Sequence, residues 1–231
     1  GLPPDKSFKI MEAVRKGKVA KGKEPKWKDE YIPLMKEHDV PDWYIKSCEK
    51  IKYMFPKAHA AAYVTNAFRI AWFKVHIPLA YYAAYFSIRA KAFDASCMIF
   101  GKEKVKNKMK EIEMKNQKKE ATKAELDMYD DLEIVLEMYE RGFEFLPVDL
   151  YESEATKFKV QENKLRPPLN SIPGFGGVAA QGIVEARKDG KFMSIDDLKI
   201  RAKIGASGAD LLKEFGCLEG MSQSNQLSLF G

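Results

Sequence analysis

LNSIPGFGGVA, residues 169–179, is the stretch that decides the fold of this chain. It places a Pro-Gly-apolar-Gly turn between apolar positions, and Ala180, Ile183 and Val184 then follow with helical spacing. Glycine lets the backbone turn tightly and approach a ligand closely because it has no Cβ atom. Unpaired N–H groups at a helix N-terminus bind anions. The stretch therefore predicts a turn and a helix that together bind a phosphate through the backbone.

This turn resembles the helix-hairpin-helix DNA-binding element, which normally occurs in pairs. AKIGAS, residues 202–207, followed by Leu211 and Leu212, is a candidate for a degenerate second copy. Phosphate contacts of this kind position a duplex without reading its sequence, and neighbouring cations add salt-sensitive affinity. The predicted DNA-binding residues are Gly174, Phe175, Gly176, Gly177, Arg187, Lys188, Gly205 and Ser207. Two other interpretations stay open: an ordinary glycine-rich helix start, and a dinucleotide fingerprint, which would need a βαβ unit around it.

Helical periodicity extends outward from this stretch, so the predicted fold class is mainly α-helical with a small β-hairpin element. The β-hairpin is predicted from residues 158–160 and 164–169, which flank Glu162-Asn163. Thr122 and Glu125 fit a capping box that starts a helix, and Gly142 is the expected C-cap of that helix.

Four further segments carry local predictions. Residues 102–123 are rich in lysine and glutamate and predict a solvated helix or loop, and residues 143–151 alternate like a strand. Residues 15–28 are rich in lysine and glycine and predict a mobile basic loop. The helix expected over residues 57–75 is apolar on most faces, so we expect it to be buried.

The distribution of charge favours a polyanionic partner. The formal net charge is +6, with seven basic residues against one acidic residue between Arg15 and Lys28. Between Lys157 and Lys213 there are eleven basic residues against six acidic ones. Such stretches suit nucleic acid, and the alternative for each of them is an ordinary solvated face.

Cysteine and histidine content argues against a disulfide framework and against a structural zinc site. The three cysteines lie far apart with no CxxC pair, and there are three histidines. The start of the chain lacks the pattern of a signal peptide. The longest apolar run, near residues 60–73, is interrupted by Thr65, Asn66 and Arg69, which is typical of a core helix rather than a membrane span. We therefore expect a cytoplasmic protein with no membrane partner.

The last eleven residues, 221–231, carry no charged side chain and end in Gln226-Leu227-Ser228-Leu229-Phe230. A glutamine that can hydrogen-bond, followed by apolar anchors, is typical of a short linear motif that docks in an apolar pocket. This pentapeptide resembles the motif by which bacterial proteins bind the DNA sliding clamp. We expect Gln226, Leu227, Ser228, Leu229 and Phe230 to bind that clamp.

Three segments together carry a wider resemblance: YMFPKAHAAAY at 53–63, RIAWFKVH at 69–76 and YYAAYF at 81–86. They resemble the C-family bacterial replicative DNA polymerases, and more narrowly the PolC-type DNA polymerase III alpha subunit of low-GC Gram-positive bacteria. The resemblance covers residues 8–230 and weakens over the two lysine-rich stretches. Because the clamp motif lies next to the last residue, the PolC type is favoured, and we expect a C-terminal fragment of such an enzyme.

The resemblance implies three functional parts. Residues 1–100 would be the end of the fingers, residues 101–220 a duplex-binding domain with tandem helix-hairpin-helix elements, and residues 221–231 the clamp-binding tail. Lys57 and His59 would contact the triphosphate of an incoming deoxynucleoside triphosphate, where a cation offsets charge on the transferring group. Phe55 and Tyr63 would shape the base pocket. A packing role is the alternative for each of these four residues.

The aspartates that a polymerase palm needs to coordinate two magnesium ions are not evident in the sequence. Asp130-Asp131 and Asp196-Asp197 are adjacent pairs in helical contexts, where neighbouring side chains diverge. We therefore expect no catalytic residue, no metal site and no bound cofactor in this fragment, with Mg²⁺ serving the full polymerase through residues elsewhere. The fragment should be inactive alone. Its expected partners are primer-template duplex DNA, the nucleotide, the sliding clamp and the remaining palm, thumb and exonuclease domains.

A rival hypothesis from a different class is a stand-alone helix-hairpin-helix adaptor that recruits the sliding clamp to DNA. It accounts for the tail and the hairpins but gives no purpose to Lys57 or to the residues that follow it up to Tyr63. A helical nuclease is a third possibility, and it lacks a cluster of metal ligands.

Overall fold

The structure, a computed structural model, describes residues 1–224, so the predicted clamp-binding residues 226–230 lie outside the described part. The mainly α-helical fold class is confirmed. The chain forms two compact units, Gly1–Arg69 and Ile70–Gly231. This boundary differs from the functional division at residue 100, which stays a prediction. The described helices are α1 Pro4–Arg15, α2 Ile32–Glu37, α3 Asp42–Cys48, α4 Lys57–His76, α5 Pro78–Ile88, α6 Ala95–Met98, α7 Lys102–Gln117, α8 Lys123–Glu140, α9 Gly177–Ala186, α10 Ile195–Ala202 and α11 Ala206–Glu214.

The first unit packs α1, α2 and α3 around a small apolar core that includes Ile10, Met35 and Ile45. The prediction of a mobile loop over residues 15–28 is wrong. This segment forms hydrogen-bonded turns that lead into a π-helical turn, Trp27–Tyr31. The physical reason is burial, because the Val19 and Trp27 side chains enter the core while the lysines stay at the surface.

Helix α4 begins directly after Phe55-Pro56, as predicted, but the prediction that it is buried is wrong. None of its residues is buried. Phe68 is 73% exposed and Val75 is 66% exposed. An apolar helix surface indicates that another surface covers it, but it does not identify that surface. Within residues 1–224 no segment covers this face of α4.

The second unit has one large core, to which Tyr82, Met98, Leu132 and Leu165 contribute fully buried side chains. The lysine-rich segment is the helix α7, which pairs with α8. The predicted capping box is present: the Thr122 hydroxyl accepts from the Glu125 amide, and the Glu125 carboxylate accepts from the Thr122 amide. Gly142 follows α8 with φ +82°, as expected for a C-terminal glycine.

The predicted β-hairpin is confirmed as two antiparallel strands, β1 Lys159–Gln161 and β2 Lys164–Arg166. The strand predicted over residues 143–151 is wrong, because within residues 1–224 this segment pairs through a single isolated bridge, between Phe145 and Leu165. Pro147 has no N–H to donate, and the Asp149 carboxylate caps a turn by accepting the amide of Tyr151. No helix within residues 1–224 combines the length and hydropathy that a bilayer crossing requires.

Candidate nucleic-acid interface

The first hairpin consists of residues 172–176 and leads into α9. Gly174 has φ +79°, a conformation that glycine adopts without strain, and Phe175 is buried beneath the turn. Gly176 is the N-cap of α9, with extended backbone angles and no side-chain cap. The amides of Gly177 and Val178 therefore lie in an uncapped first helical turn, and the Val178 side chain is 90% exposed. The geometry presents backbone N–H groups to solvent at the tip of the hairpin.

The second hairpin repeats this arrangement between α10 and α11. Lys203 takes the left-handed conformation, with φ +54°, at the position equivalent to Gly174. Ile204 is buried at the position of Phe175, and Gly205 is the uncapped, extended N-cap of α11. The two hairpins therefore share one backbone design, although their sequences differ.

Close packing of α9 on α10 joins the two hairpins. A Cβ atom on Gly182 would lie 2.4 Å from the carbonyl oxygen of Ala202, so only glycine fits there. The Arg201 guanidinium donates to the carbonyl oxygen of Ala186, the last residue of α9, and to that of Gly190 beyond it. Sequence reasoning missed Gly182 and Arg201. A glycine inside an apolar helical pattern was the available signal for the first.

The two basic residues predicted to contact DNA, Arg187 and Lys188, lie in different environments. Arg187 is partly buried, and its Nη1 donates to the carbonyl oxygens of Leu150 and Ser153 at 3.0 and 2.7 Å. This geometry favours a structural role for Arg187. Lys188 is exposed and forms a surface ion pair with Glu185 at 2.6 Å, which a phosphate can replace at little cost. Ser207 is exposed in the first turn of α11.

The other predicted site lies at the N-terminus of α4. The first amides of this twenty-residue helix are those of Lys57, Ala58 and His59, which have no intrahelical acceptor. Lys57 and His59 are both exposed. The Phe55 ring stacks on the His59 ring, with centroids 5.3 Å apart. The ring of Tyr63, four residues after His59, has its centroid 4.5 Å from that of His59. The structure thus brings all four predicted nucleotide-binding residues together.

Comparison with known proteins places this geometry in a family. The model described as "Helix-hairpin-helix motif" matches residues 142–227. The chain is 52% identical over 230 residues to the DNA polymerase III PolC-type of Oceanobacillus iheyensis and 52% identical to that of Bacillus subtilis. It is 54% identical to that of Halalkalibacterium halodurans, again over 230 residues.

The chain matches a segment of PolC-type DNA polymerase III over its full length. The alignments cover 100% of this chain but only 15% or 16% of those relatives, so it corresponds to a part of a PolC-type polymerase. The prediction of a helix-hairpin-helix motif is confirmed, and so is the family resemblance. The individual roles of the predicted residues stay predictions.

The acidic pairs of this PolC-type segment have structural partners. The buried Asp131 carboxylate accepts the backbone amides of Lys91 and Ala92, and its burial raises its pKa. Asp197 accepts from Arg201 and from the amide of Met193. Residues 1–224 contain no group of three or more His, Cys, Asp or Glu side chains arranged to bind a metal ion.

The segment that leads to the predicted clamp motif is attached to α10. The Ile195 amide donates to the Ser222 carbonyl at 2.9 Å, and the Asp196 amide donates to the Gln223 carbonyl at 3.1 Å. Ser194, the N-cap of α10, accepts the amide of Asp197. The first three amides of α10 are therefore all satisfied.

Proposed function

We propose that this chain is a non-catalytic part of a replicative DNA-directed DNA polymerase, as the name of its relatives suggests. In this proposal it binds product duplex through its two hairpins, contacts the incoming nucleotide through the start of α4, and tethers the enzyme to the sliding clamp. The observation that carries the proposal is a pair of helix N-termini, at Gly176 and Gly205, that have no side-chain cap. The packing of α9 on α10 joins them.

Duplex binding follows from the chemistry of these N-termini. Each offers uncapped N–H groups and the positive end of a helix dipole, and both favour a phosphate oxygen. Backbone donors do not read bases, so all duplex sequences should bind alike. Ser207 adds a hydroxyl donor at the second site, and Lys188 and Lys203 add exposed cations nearby. Counterion release by those cations makes affinity fall as salt rises.

Fluorescence anisotropy with two duplexes of equal length and scrambled sequence tests this binding. The chain should bind both with the same affinity, and the affinity should fall steeply with added salt. Gly174→Val together with Gly176→Val should weaken both equally, since Gly174 needs a positive φ. A loss confined to one sequence, or a flat salt response, would contradict the phosphate contacts.

Nucleotide binding is proposed for Lys57 and His59, with Phe55 and Tyr63 beside them. Lys57 is exposed and forms no ion pair within residues 1–224, so its charge is available to a triphosphate. The N-terminus of α4 adds its dipole in the same place. In a PolC-type polymerase that carries this segment, Lys57→Ala should raise the KM for nucleotide, and an unchanged KM would contradict the contact.

Clamp binding is proposed for Gln226, Leu227, Ser228, Leu229 and Phe230. Support comes from the attachment of Gln223 to α10, because only Ser224 and Asn225 separate it from Gln226. Three extended residues span about 10 Å, so a bound clamp would lie close to the hairpins. Calorimetric titration into a Gram-positive sliding clamp should show weak binding that Leu229→Ala with Phe230→Ala abolishes, whereas equal binding by both proteins would contradict the proposal.

The exposed face of α4 supports a partner from the rest of the polymerase. Phe68, Trp72 and Val75 present apolar side chains there, and the relatives are about six times as long as this chain. We propose that the palm, thumb or exonuclease domain covers this face, with the palm supplying the Mg²⁺ ligands. The similarity over 230 residues, including residues 53–63, supports this function over a stand-alone adaptor. Templated synthesis on addition of the palm would separate the two hypotheses.

A further inference from the structure

Four exposed rings form a continuous ladder at the start of α4: Tyr53, Phe55, His59 and Tyr63. Successive ring centroids lie 4.6, 5.3 and 4.5 Å apart. Tyr53, Phe55 and Tyr63 are each more than half exposed, so core packing does not explain the arrangement. Ring contacts at these distances stabilise a specific geometry by about 0.5–1.5 kcal/mol per pair.

The first ring of the ladder is attached to the first unit's core helix. Arg15, the last residue of α1, donates from Nη1 to the Tyr53 hydroxyl at 3.3 Å and lies over the Tyr53 ring at 5.9 Å. The Met54 amide donates to the Arg15 carbonyl at 3.0 Å. A Cβ atom on Gly17 would lie 1.9 Å from the Lys52 carbonyl oxygen, so the chain before the ladder packs directly on this turn.

The His59 imidazole has an aromatic neighbour on each side of it in the ladder. The Phe55 ring is nearly parallel to it, with an interplanar angle of 14°. Tyr63 lies one helical turn further along α4 and contacts it at 57°. Phe55 thus stacks on the imidazole, while the ring nitrogen atoms can still hydrogen-bond to a phosphate oxygen.

We propose that Tyr53, Phe55 and Tyr63 are positioning residues that hold the His59 imidazole for a phosphate oxygen of the incoming nucleotide. This inference rests on the proposed nucleotide contact of His59. It replaces the expectation that Phe55 and Tyr63 shape the base pocket. An exposed histidine samples several rotamers, and restricting it before binding reduces the entropy that binding must overcome.

A double-mutant cycle in a PolC-type polymerase carrying this segment tests the proposal. His59→Ala, Phe55→Ala and the double variant are compared by the KM for nucleotide and by kcat. Each single variant should raise the KM, Phe55→Ala by about three- to tenfold. Phe55→Ala should add nothing further in the His59→Ala background, because it acts through His59. Phe55→Tyr keeps the stack and should keep the KM.

Phe8 is the matched control. It is a phenylalanine of the same unit, is 62% exposed like Phe55, and belongs to none of the ring pairs found within residues 1–224. Phe8→Ala should leave the KM unchanged. Tyr53→Phe, which loses only the Arg15 hydrogen bond, should show a smaller rise in KM than Phe55→Ala.

The outcomes distinguish the positioning role of Phe55 from the nucleotide contact of His59. Coupled effects of Phe55 and His59 on the KM support the positioning role. A rise in KM for both single variants that multiplies in the double variant overturns the positioning role and leaves the nucleotide contact of His59 intact. An unchanged KM for His59→Ala overturns the nucleotide contact and the positioning role with it.

Discussion

Helix α10 and the two helices that flank it in sequence, α9 and α11, begin in opposite ways. The first three amides of α10 donate to the Ser222 carbonyl, the Gln223 carbonyl and the Ser194 hydroxyl. Helices α9 and α11 begin at Gly176 and Gly205, with no side-chain cap. One compact unit thus contains one helix whose first amides are all hydrogen-bonded within the protein and two helices whose first amides have no side-chain acceptor.

Packing does not account for this difference. A Cβ atom on Gly176 or Gly205 would meet nothing within 4 Å, so larger residues fit at both positions. Gly182 is the contrasting case, since an added Cβ would meet the backbone of Ala202. What glycine provides at the two N-caps is the absence of a side chain that would occupy the amides. We therefore propose that the α10 start stabilises the fold and that the starts of α9 and α11 bind a ligand.

The largest expected effect comes from closing the two open starts. Gly176→Asp with Gly205→Asp should stabilise α9 and α11 by N-capping and should place a negative charge where the phosphate binds. We expect duplex affinity to fall by about a hundredfold, since like charges in contact cost several kcal/mol. Anisotropy with a duplex measures the loss, and a thermal melt should show an unchanged or higher midpoint.

Thr122→Asp is the control for that change. It introduces one negative charge, against two in the double variant, at the start of α8, where a side-chain cap already exists. Duplex affinity should change little. If Thr122→Asp weakens binding as much as the double glycine variant, then net charge rather than the open amides governs affinity.

Removing a cap should have the opposite signature. Thr122→Ala leaves the start of α8 without its hydroxyl acceptor and should lower the free energy of unfolding by about 1 kcal/mol. Duplex affinity should be unaffected, because α8 has no part in the hairpins. Chemical denaturation measures the stability, and anisotropy on the same preparation measures the duplex affinity. A loss of affinity in parallel with stability would contradict the distinction between stabilising and ligand-binding helix starts.

The two hairpins themselves differ at one backbone position, where Lys203 takes the left-handed conformation that Gly174 takes in the first. Lys203→Gly should relieve this strain and stabilise the chain by about 0.5 kcal/mol, after the larger entropy of glycine in the unfolded chain is subtracted. Lys199→Gly, inside α10, is the matched control and should destabilise by about 1 kcal/mol. Equal effects of both substitutions in denaturant melts would show that Lys203 is unstrained.

The smallest effect concerns pH. The Lys115 ammonium, followed by the Thr122 amide and hydroxyl, lowers the pKa of Glu125 to about 2 from an ordinary value of 4.5. Because the pKa is lower in the folded state, Glu125 stabilises the fold above pH 4.5, and this contribution is lost as the pH falls towards 2. The difference in melting temperature between the unchanged chain and Glu125→Gln should therefore disappear across this range. A difference that persists at pH 2 would contradict the assignment.

Local rules predicted much of this fold. The capping box at Thr122, the β-hairpin around Glu162 and the glycine turn at Gly174 each follow from two to five neighbouring residues, and each is present. Burial along α8 does not follow from such local rules: Leu132, Val135 and Met138 are buried, whereas Leu126 is 41% exposed. Helical periodicity defines a stripe, and the exact residues at its centre depend on the neighbouring helices.

Long-range contacts could not be read in the same way. The packing of Gly182 on Ala202, and the contacts of Arg201 and Arg187 with distant carbonyl oxygens, depend on how separate elements meet. A lone arginine in a basic stretch has the same sequence signature whether it contacts a phosphate or the protein's own backbone. Burial of α4 was mispredicted for a related reason, because hydropathy does not identify the partner.

Backbone amide NMR during titration with a short duplex tests the central claim most directly. The account predicts that the largest chemical-shift changes fall on Gly177, Val178, Ala206 and Ser207, at the two open helix starts. The amides of Ile195 and Asp196, which are already hydrogen-bonded at the start of α10, should change little. Equal changes at all three helix starts, or changes confined to the lysine-rich surface of α7, would contradict it.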